Sequence, residues 1–247
     1  MYIRWIHKIE PSSLCNRKCE YCVNPQLGYK KGNMSMETFN RILYWARLLN
    51  PTGQPQEEGY IHFRGIGEPL LNPYIVEMTG LMSDIVPVWI STNGDFLTED
   101  LLKELIQAHV GTISVSRHDE EVANRCEELL RKYNTKHLNQ DQFNDDWAGQ
   151  LKDKECTSPP CYCAHIETGG AMVIWDGRIV TCCVDSQAEP VLGSVHDDEL
   201  RHIAIKPIPL CADCRSNFYW KWKLMREFSL TLEQREKERY FREFIGG

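Results

Sequence analysis

The sequence predicts an α/β fold, a partial parallel (β/α)5-6 barrel followed by a small C-terminal unit built on a β-hairpin and a helix. Three observations carry that expectation. From Trp5 to Leu138, short apolar runs alternate with stretches whose apolar residues recur at helical spacing, the pattern of parallel strands joined by right-handed crossovers. Only about five such units fit ahead of Asn139, whereas a complete eight-fold barrel takes about 250 residues, so the barrel is incomplete. Later in the chain, Ala171 to Trp175 and Arg178 to Cys182 are two apolar runs separated by Asp176-Gly177, a strong hairpin signal. A boundary near residue 150 then divides a barrel domain, 1–150, from a hairpin-plus-helix domain, 151–247.

The elements follow in order. Trp5 to Ile9 is an apolar strand that ends at Glu10-Pro11-Ser12-Ser13. Directly behind it stands Cys15-Asn-Arg-Lys-Cys19-Glu-Tyr-Cys22, three thiols within eight residues. Arg17 and Lys18 inside this loop are placed either to stabilise thiolates or simply as solvated charges. Ser35 precedes a helix with Phe39, Ile42, Leu43, Ala46 and Leu49 on one face, which Pro51 and Gly53 end. Gly59 to Arg64 is the second strand and runs into Gly65-Ile66-Gly67-Glu68-Pro69, where glycines permit close backbone approach and a carboxylate can accept from an ammonium group. A helix with Tyr74, Ile75, Met78, Leu81, Met82 and Ile85 follows, its methionines read as core filler.

Val88 to Ser91 is the third strand, closed by Thr92-Asn93-Gly94-Asp95, in which Asn-Gly marks a tight turn. Thr98 caps a helix carrying Leu101, Leu102, Leu105 and Ile106. Thr112 to Ser116 is the fourth strand, ending in Ser116-Arg117-His118; the histidine reads as a loop residue or a base. Asp119 caps a helix with Val122, Cys126, Leu129, Leu130 and Tyr133, and Thr135 to Leu138 is a short fifth strand. Asn139 to Pro160 is a polar, acidic loop. Around the hairpin lie Cys161, Cys163, Cys182, Cys183 and the pair Cys211-Ala-Asp-Cys214; the tail holds Phe218, Tyr219, Trp220 and Trp222, then a capping box, Thr231 to Gln234, that opens a charged helix.

Composition bounds the rest. At 247 residues with 42% hydrophobic and 26% charged residues, the chain has ordinary globular values and no run approaching a membrane span. A net charge of -7 gives no basic footprint for general nucleic-acid binding. The first ten residues mix charges with apolar groups and lack a small-residue cleavage pattern, so they are not a secretory signal. The first strand starts at once, which is expected to leave no room for a leader-binding domain ahead of it. Eleven cysteines, an odd number in two groups, favour reduced metal-ligand thiols over disulfides and a cytoplasmic setting.

Thiolates are the usual protein ligands of iron-sulfur clusters, and three of them leave one iron of a cubane open for chemistry. Structural zinc is the alternative for both cysteine groups, and stronger for the second, since four cysteines on a hairpin plus a knuckle also describe a ribbon. The C-x3-C-x2-C spacing with Tyr21 before the last cysteine resembles the signature of the radical S-adenosylmethionine (SAM) superfamily. That resemblance implies a 4Fe-4S cluster on Cys15, Cys19 and Cys22 whose free iron chelates SAM. It also implies that Gly65, Gly67 and Glu68 match the element that binds the SAM amino group, that Thr92 and Asn93 lie beside the SAM pocket, and that Ser116 and Arg117 contact its ribose.

Cys163-x13-Gly177-x4-Cys182 followed by a distant C-x2-C resembles the twitch, or truncated SPASM, extension of this superfamily. The resemblance implies a second, auxiliary 4Fe-4S cluster on Cys163, Cys182, Cys211 and Cys214, with Cys161 an alternative to Cys163 and Cys183 to Cys182. The whole looks most like the small twitch-bearing dehydrogenases of the 2-deoxy-scyllo-inosamine dehydrogenase type. Ile66 and Ser91 stand where aromatic substrate contacts are expected in those enzymes. The implied activity is reductive SAM cleavage and hydrogen abstraction from a small polar substrate, oxidising it, with a flavodoxin- or ferredoxin-type one-electron reductant as partner. An epimerase or a peptide- or nucleotide-modifying enzyme is the alternative within the superfamily, and a zinc-stabilised binding module the one outside it.

Overall fold

The computed structural model describes residues 2–49, 60–140, 147, 150–151 and 163–212. In chain order the elements are β1 (Trp5–Ile9), α1 (Met36–Leu49), β2 (Ile61–Phe63), α2 (Ile75–Ser83), β3 (Val88–Thr92), α3 (Glu99–Gln107), β4 (Thr112–Ser116), α4 (Glu120–Lys132), β5 (His137–Gln140), α5 (Ala164–Thr168), β6 (Gly170–Val173), β7 (Arg178–Val180) and β8 (Val191–Ser194). All eight strands join one sheet, ordered β5-β4-β3-β2-β1-β6-β7-β8. The first five are parallel, and β6 pairs parallel with the free side of β1. β7 and β8 continue antiparallel. The hairpin expected in the second domain is thus seated directly on the first strand of the barrel.

Each of the first five strands adds outside the one before it, so right-handed crossovers lay all four long helices on one face. That face is the core. Ile6 and Ile9 of β1, Ile61 and Phe63 of β2, and Ile90 of β3 are buried against Phe39, Ile42 and Trp45 of α1 and Met78 and Met82 of α2. Phe39 meets Phe63 edge-on with ring centroids 5.9 Å apart. Fully burying each such side chain stabilises the fold by about 1.5–3 kcal/mol, and the methionines fill core space as expected. Trp45 also donates from Nε1 to the Val195 carbonyl at 2.9 Å, tying α1 to the segment after β8.

Register decides what the other face carries. Lys8 pairs with His62 and His62 with Trp89, so these side chains share the face opposite the helices. Ser91 and Ser114 are also paired, and their hydroxyls bond at 2.8 Å with Trp89 Nε1 donating to Ser114 at 3.0 Å. This is the concave side of the half-barrel, and it is polar.

Local chemistry places the helix starts. Ser35, Thr98 and Asp119 accept from the backbone N–H of Thr38, Leu101 and Val122 respectively. Gly94 follows β3 with φ +83°, a left-handed conformation that suits glycine. The hairpin turn is one residue longer than a bare Asp-Gly turn. Gly177 N–H bonds to the Ile174 carbonyl at 2.9 Å and its φ is +89°, so Trp175-Asp176-Gly177 form a three-residue loop with glycine in the left-handed position. β8 and α5 were not foreseen, since one is a half-exposed edge strand without alternation and the other is a single helical turn. Of the acidic loop, Asn139 and Gln140 end β5 and Trp147, Gln150 and Leu151 are described, while its other residues and the tail from residue 213 on lie outside the described residues.

Candidate active site

Parallel pairing in register brings the carboxyl ends of β1 to β4 to one rim, where α/β barrels hold their chemistry. The cysteine loop leaves β1 at this rim, and Cys15, Cys19 and Cys22 are all half-buried. Its turn is closed by Cys22 N–H on the Cys19 carbonyl at 3.1 Å. The Arg17 N–H points to Cys15 Sγ at 3.5 Å and the Asn24 N–H to Cys22 Sγ at 3.4 Å. Burial pushes the Cys15 and Cys22 thiols up, and these N–H contacts oppose it. A metal centre must therefore displace protons as it binds.

The donor set fits a cubane. Three thiols from one loop leave one iron without a protein ligand, and two of the sulfurs already receive backbone N–H groups that favour thiolate. Among the described residues no three His, Cys, Asp or Glu side chains converge on a single metal ion.

Carboxylates behind the strands hold the rim together. Glu10, fully buried after β1, accepts from Ile66 N–H at 2.9 Å and from the Tyr29 hydroxyl at 3.3 Å. Burial raises its pKa to about 7. Glu68, after β2, accepts from Leu70 N–H at 3.0 Å, the Thr92 hydroxyl at 2.7 Å and Asn93 N–H at 2.7 Å. Its pKa is raised to about 6 by burial, and its own N–H donates to the Leu14 carbonyl. Asp95, after β3, accepts from Asn16 Nδ2 at 2.6 Å and from Arg17 at two points. Asn93 Nδ2 reaches Asn16 at 2.9 Å. The ends of β2 and β3 thereby grip the cysteine loop and the residue that feeds it.

The structure brings many of the sequence-predicted residues together and gives several a different partner. A Cβ on Gly65 would lie 2.4 Å from the Glu10 side chain, and one on Gly67 2.2 Å from the Ser12 carbonyl. The glycines therefore let the turn press against the segment feeding the cysteine loop. Thr92 and the Asn93 backbone, with Glu68, form a buried knot between β2 and β3. Tyr21 shares a 2.5 Å hydrogen bond with His118 Nδ1, and burial, with the Arg17 charge, lowers the His118 pKa. Arg17 is committed to Asp95. Ser116 is half-buried at the end of β4. Arg117 turns back over α4 to Glu120 and Asn124, with Glu127 at 3.6 Å.

Of the second cysteine group, Cys163, Cys182, Cys183 and Cys211 are described, while Cys161 and Cys214 lie outside the described residues. Cys163 stands at the N-cap position of α5 without a side-chain capping bond, Cys211 sits in a 3-10 turn, Pro209–Ala212, and both pack against the main core. Cys183 takes the opposite side, packing with Met172, Ile174, Val180 and Ala188. There the Lys8 ammonium lies 2.9 Å from its Sγ. Burial pushes the Cys183 thiol up, but Lys8 and then Arg64 outweigh it, and the net shift is downward. Cys183 therefore lies on the concave side, beside Lys8.

Sequence reasoning missed Glu10 as a rim clasp, and Trp147. Trp147 Nε1 donates to the Tyr21 carbonyl at 2.8 Å, and its ring packs on Val23, Ile66 and Leu151. Gln150 then bonds Val184 and Ser186, so this segment bridges the cysteine loop and the chain after β7. The available signal was an isolated tryptophan within a polar stretch, which is costly to leave in water.

A half-barrel whose carboxyl rim presents an open three-thiol loop, tied down by carboxylates from successive strands, defines an iron-sulfur enzyme that works on a ligand held at that rim. The sequence profile of the Radical SAM superfamily matches residues 9–142, more than half of the 247-residue chain. The chain belongs to the Radical SAM superfamily, and membership implies a 4Fe-4S cluster and SAM. It is 33% identical over 109 residues to the tungsten-containing aldehyde ferredoxin oxidoreductase cofactor-modifying protein of Pyrococcus furiosus, covering 44% of this chain and 29% of that one. It is 31% identical over 115 residues to the SAM-dependent 2-deoxy-scyllo-inosamine dehydrogenase of Niallia circulans, covering 45% and 44%.

The match therefore spans less than half the length of either curated relative. Among solved structures, BtrN in complex with AdoMet and 2-DOIA superposes with a TM-score of 0.63 at 23% identity, over 80% of this chain and 84% of that one. An open conformation of BtrN gives 0.58 at 23% identity, over 87% and 92%. These establish the shared fold.

Proposed function

We propose that this radical SAM enzyme oxidises a small polar molecule. The observation that carries the reading is the set of three half-buried thiols, Cys15, Cys19 and Cys22, held at the rim of a half-barrel whose concave face is polar. When bound, the cluster and SAM supply a 5'-deoxyadenosyl radical that removes a hydrogen atom. The chain's own part is to hold that pair and to shape the space beside it. Gly65, Gly67, Glu68, Thr92 and Asn93 build the wall against the cysteine loop, and Tyr21 with His118 closes its far side. Ser116 and Arg117 at the end of β4 remain the proposed ribose contacts, Arg117 by leaving its α4 partners.

Oxidation requires a second electron to leave the substrate along with a proton. Cys163, Cys182, Cys211 and Cys214 are proposed to hold an auxiliary 4Fe-4S cluster that accepts it. The hairpin is seated on β1, which supports placing such an acceptor next to the barrel. A flavodoxin- or ferredoxin-type donor supplies the electron for SAM cleavage, and the reduced thiols suit a cytoplasmic setting. A second reading is favoured by Cys183 on the concave face, where a thiol can return a hydrogen atom to a substrate radical and so epimerise it.

The test is anaerobic reconstitution with iron, sulfide and SAM under dithionite. Formation of 5'-deoxyadenosine supports the class, and its complete absence rejects the reading. With a turned-over substrate, a product lighter by two hydrogens supports oxidation, whereas an isomer carrying solvent deuterium supports epimerisation.

A further inference from the structure

The concave face holds a group of charges that none of the roles above employs. Lys8 of β1 is buried, at 9% exposure, in the middle of a strand. Its ammonium meets the Cys183 sulfur at 2.9 Å and, among the described residues, no carboxylate. Arg64 lies two residues beyond His62, on the same face as Lys8 by strand alternation, and its N–H is bonded to the Ile9 carbonyl at 2.9 Å. None of the ion pairs between described residues involves the Arg64 guanidinium. Lys8 is in register with His62 on the neighbouring strand and Arg64 stands two residues further along that face, so the two cations belong to one side of the sheet on adjacent strands.

The surroundings accentuate the positive charge. His7 stacks on His165 at 3.8 Å and neither of its ring nitrogens has a hydrogen-bond partner among the described residues. Burial lowers the His7 and His62 pKa, so these two imidazoles contribute polar atoms without adding positive charge. Glu10 is next along this face of β1, but its carboxylate is turned to Ile66 and Tyr29. Among the described residues two cations therefore face the lumen against no carboxylate, with the single Cys183 sulfur beside Lys8. A buried ammonium left that way is costly, and an anion that enters repays the cost. A guanidinium fork beside a point charge is the donor arrangement that carboxylate and phosphate groups take.

We propose that Lys8 and Arg64 form an anion-binding subsite in the barrel lumen, and that the substrate carries a carboxylate or phosphate group there. The inference rests on the reading of the lumen as the substrate chamber, and it names the class of molecule that chamber accepts. Such an anchor would hold the reacting carbon at a fixed depth below the rim.

Equilibrium binding tests this without turnover. The reconstituted, desalted full chain is titrated anaerobically with inorganic phosphate and, separately, with acetate, by calorimetry. One equivalent is expected to bind. Arg64→Gln and Lys8→Met should each weaken it at least tenfold, and the exposed Lys103→Gln should leave it as it was. Tighter phosphate binding assigns a phosphorylated substrate, and tighter acetate binding a carboxylic acid. Arg64 is only partly buried, so its variant keeps the test open if Lys8→Met does not fold. The proposal is overturned if neither anion binds, or if both variants bind as the parent does. It is equally overturned if saturating SAM displaces the anion, because the two cations would then hold the cofactor's own carboxylate. Loss of 5'-deoxyadenosine formation, by contrast, would reject the enzymatic reading and leave anion binding unaffected.

Discussion

The Asp95 carboxylate, just past β3, grips the Arg17 guanidinium of the cysteine loop at two points, with Nε donating to Oδ2 at 2.7 Å. Their side chains are 21% and 20% exposed, so the pair is better shielded than a surface one. Asn16 adds a further bond to the same carboxylate. This fastens a loop whose thiols must be held apart at fixed positions to the strand end that also supplies Asn93.

Asp95→Ala is therefore expected to loosen the loop. A pair of this kind is worth about 1 kcal/mol, roughly a fivefold change in the fraction of loops correctly closed. Iron bound by the three-cysteine site should fall, and 5'-deoxyadenosine formation should drop about fivefold at subsaturating iron. Iron retention equal to the parent after gel filtration would show that the pair is incidental.

Gly67→Ala should be more damaging than its size suggests. The added methyl would lie 2.2 Å from the Ser12 carbonyl and 2.6 Å from Ser13 backbone atoms, which have no rotamer to change. Overpacking of this kind costs about 1–3 kcal/mol and here displaces the entry to the cysteine loop. The melting temperature should fall by several degrees, and cluster assembly should fail. Gly80→Ala, with only Ala108 at 3.7 Å or more, should melt close to the parent.

The strands and helices were legible because each carries its own periodicity and cap. Trp5–Ile9 and Thr112–Ser116 fall where alternation and apolar runs placed them, and Ser35, Thr98 and Asp119 cap the helices they precede. The site was legible as residue types at strand ends but not as partnerships. Nothing in the sequence says that Arg17 belongs to Asp95, or that Arg117 lies over α4, since both pairings depend on which strand ends meet. Glu10 was passed over because a single acid before Pro11 looks like a strand terminus. Its burial follows from the glycine turn of a different strand closing over it.

The proposed auxiliary cluster gives the two cysteine groups separate sites, which a pair of contrasting variants tests. Changing Cys15, Cys19 and Cys22 together to Ala should abolish SAM cleavage and leave the iron of the auxiliary group in place. Cys211→Ala should keep SAM cleavage and impair oxidation of substrate. The proposed ligand set, which includes Cys182 and leaves Cys183 beside Lys8, predicts that Cys183→Ala retains the iron that Cys182→Ala loses. Iron and sulfide analysis alongside 5'-deoxyadenosine yield measures all of these, and equal iron loss in Cys182→Ala and Cys183→Ala would merge the two roles.

Glu10 gives a pH dependence with a definite sign. Its carboxyl ionises near 4.5 in the unfolded chain and near 7 in the folded one, because burial opposes the charge more than Ile66, Tyr29 and their neighbours support it. Between those values the folded state holds a proton the unfolded state has lost, so stability falls as pH rises through the window. The whole shift corresponds to about 3 kcal/mol above pH 7. Glu10→Gln keeps an oxygen for the Ile66 N–H and never ionises. It should therefore match the parent near pH 4.5 and exceed it progressively up to pH 8, where the gain should reach about 3 kcal/mol, or roughly 6–12 °C in melting temperature for a chain of this size. Melts of both proteins at pH 5, 6, 7 and 8 read the divergence directly. A variant that is less stable than the parent at pH 8 would mean that the carboxylate is charged in the folded state and stabilised by its donors.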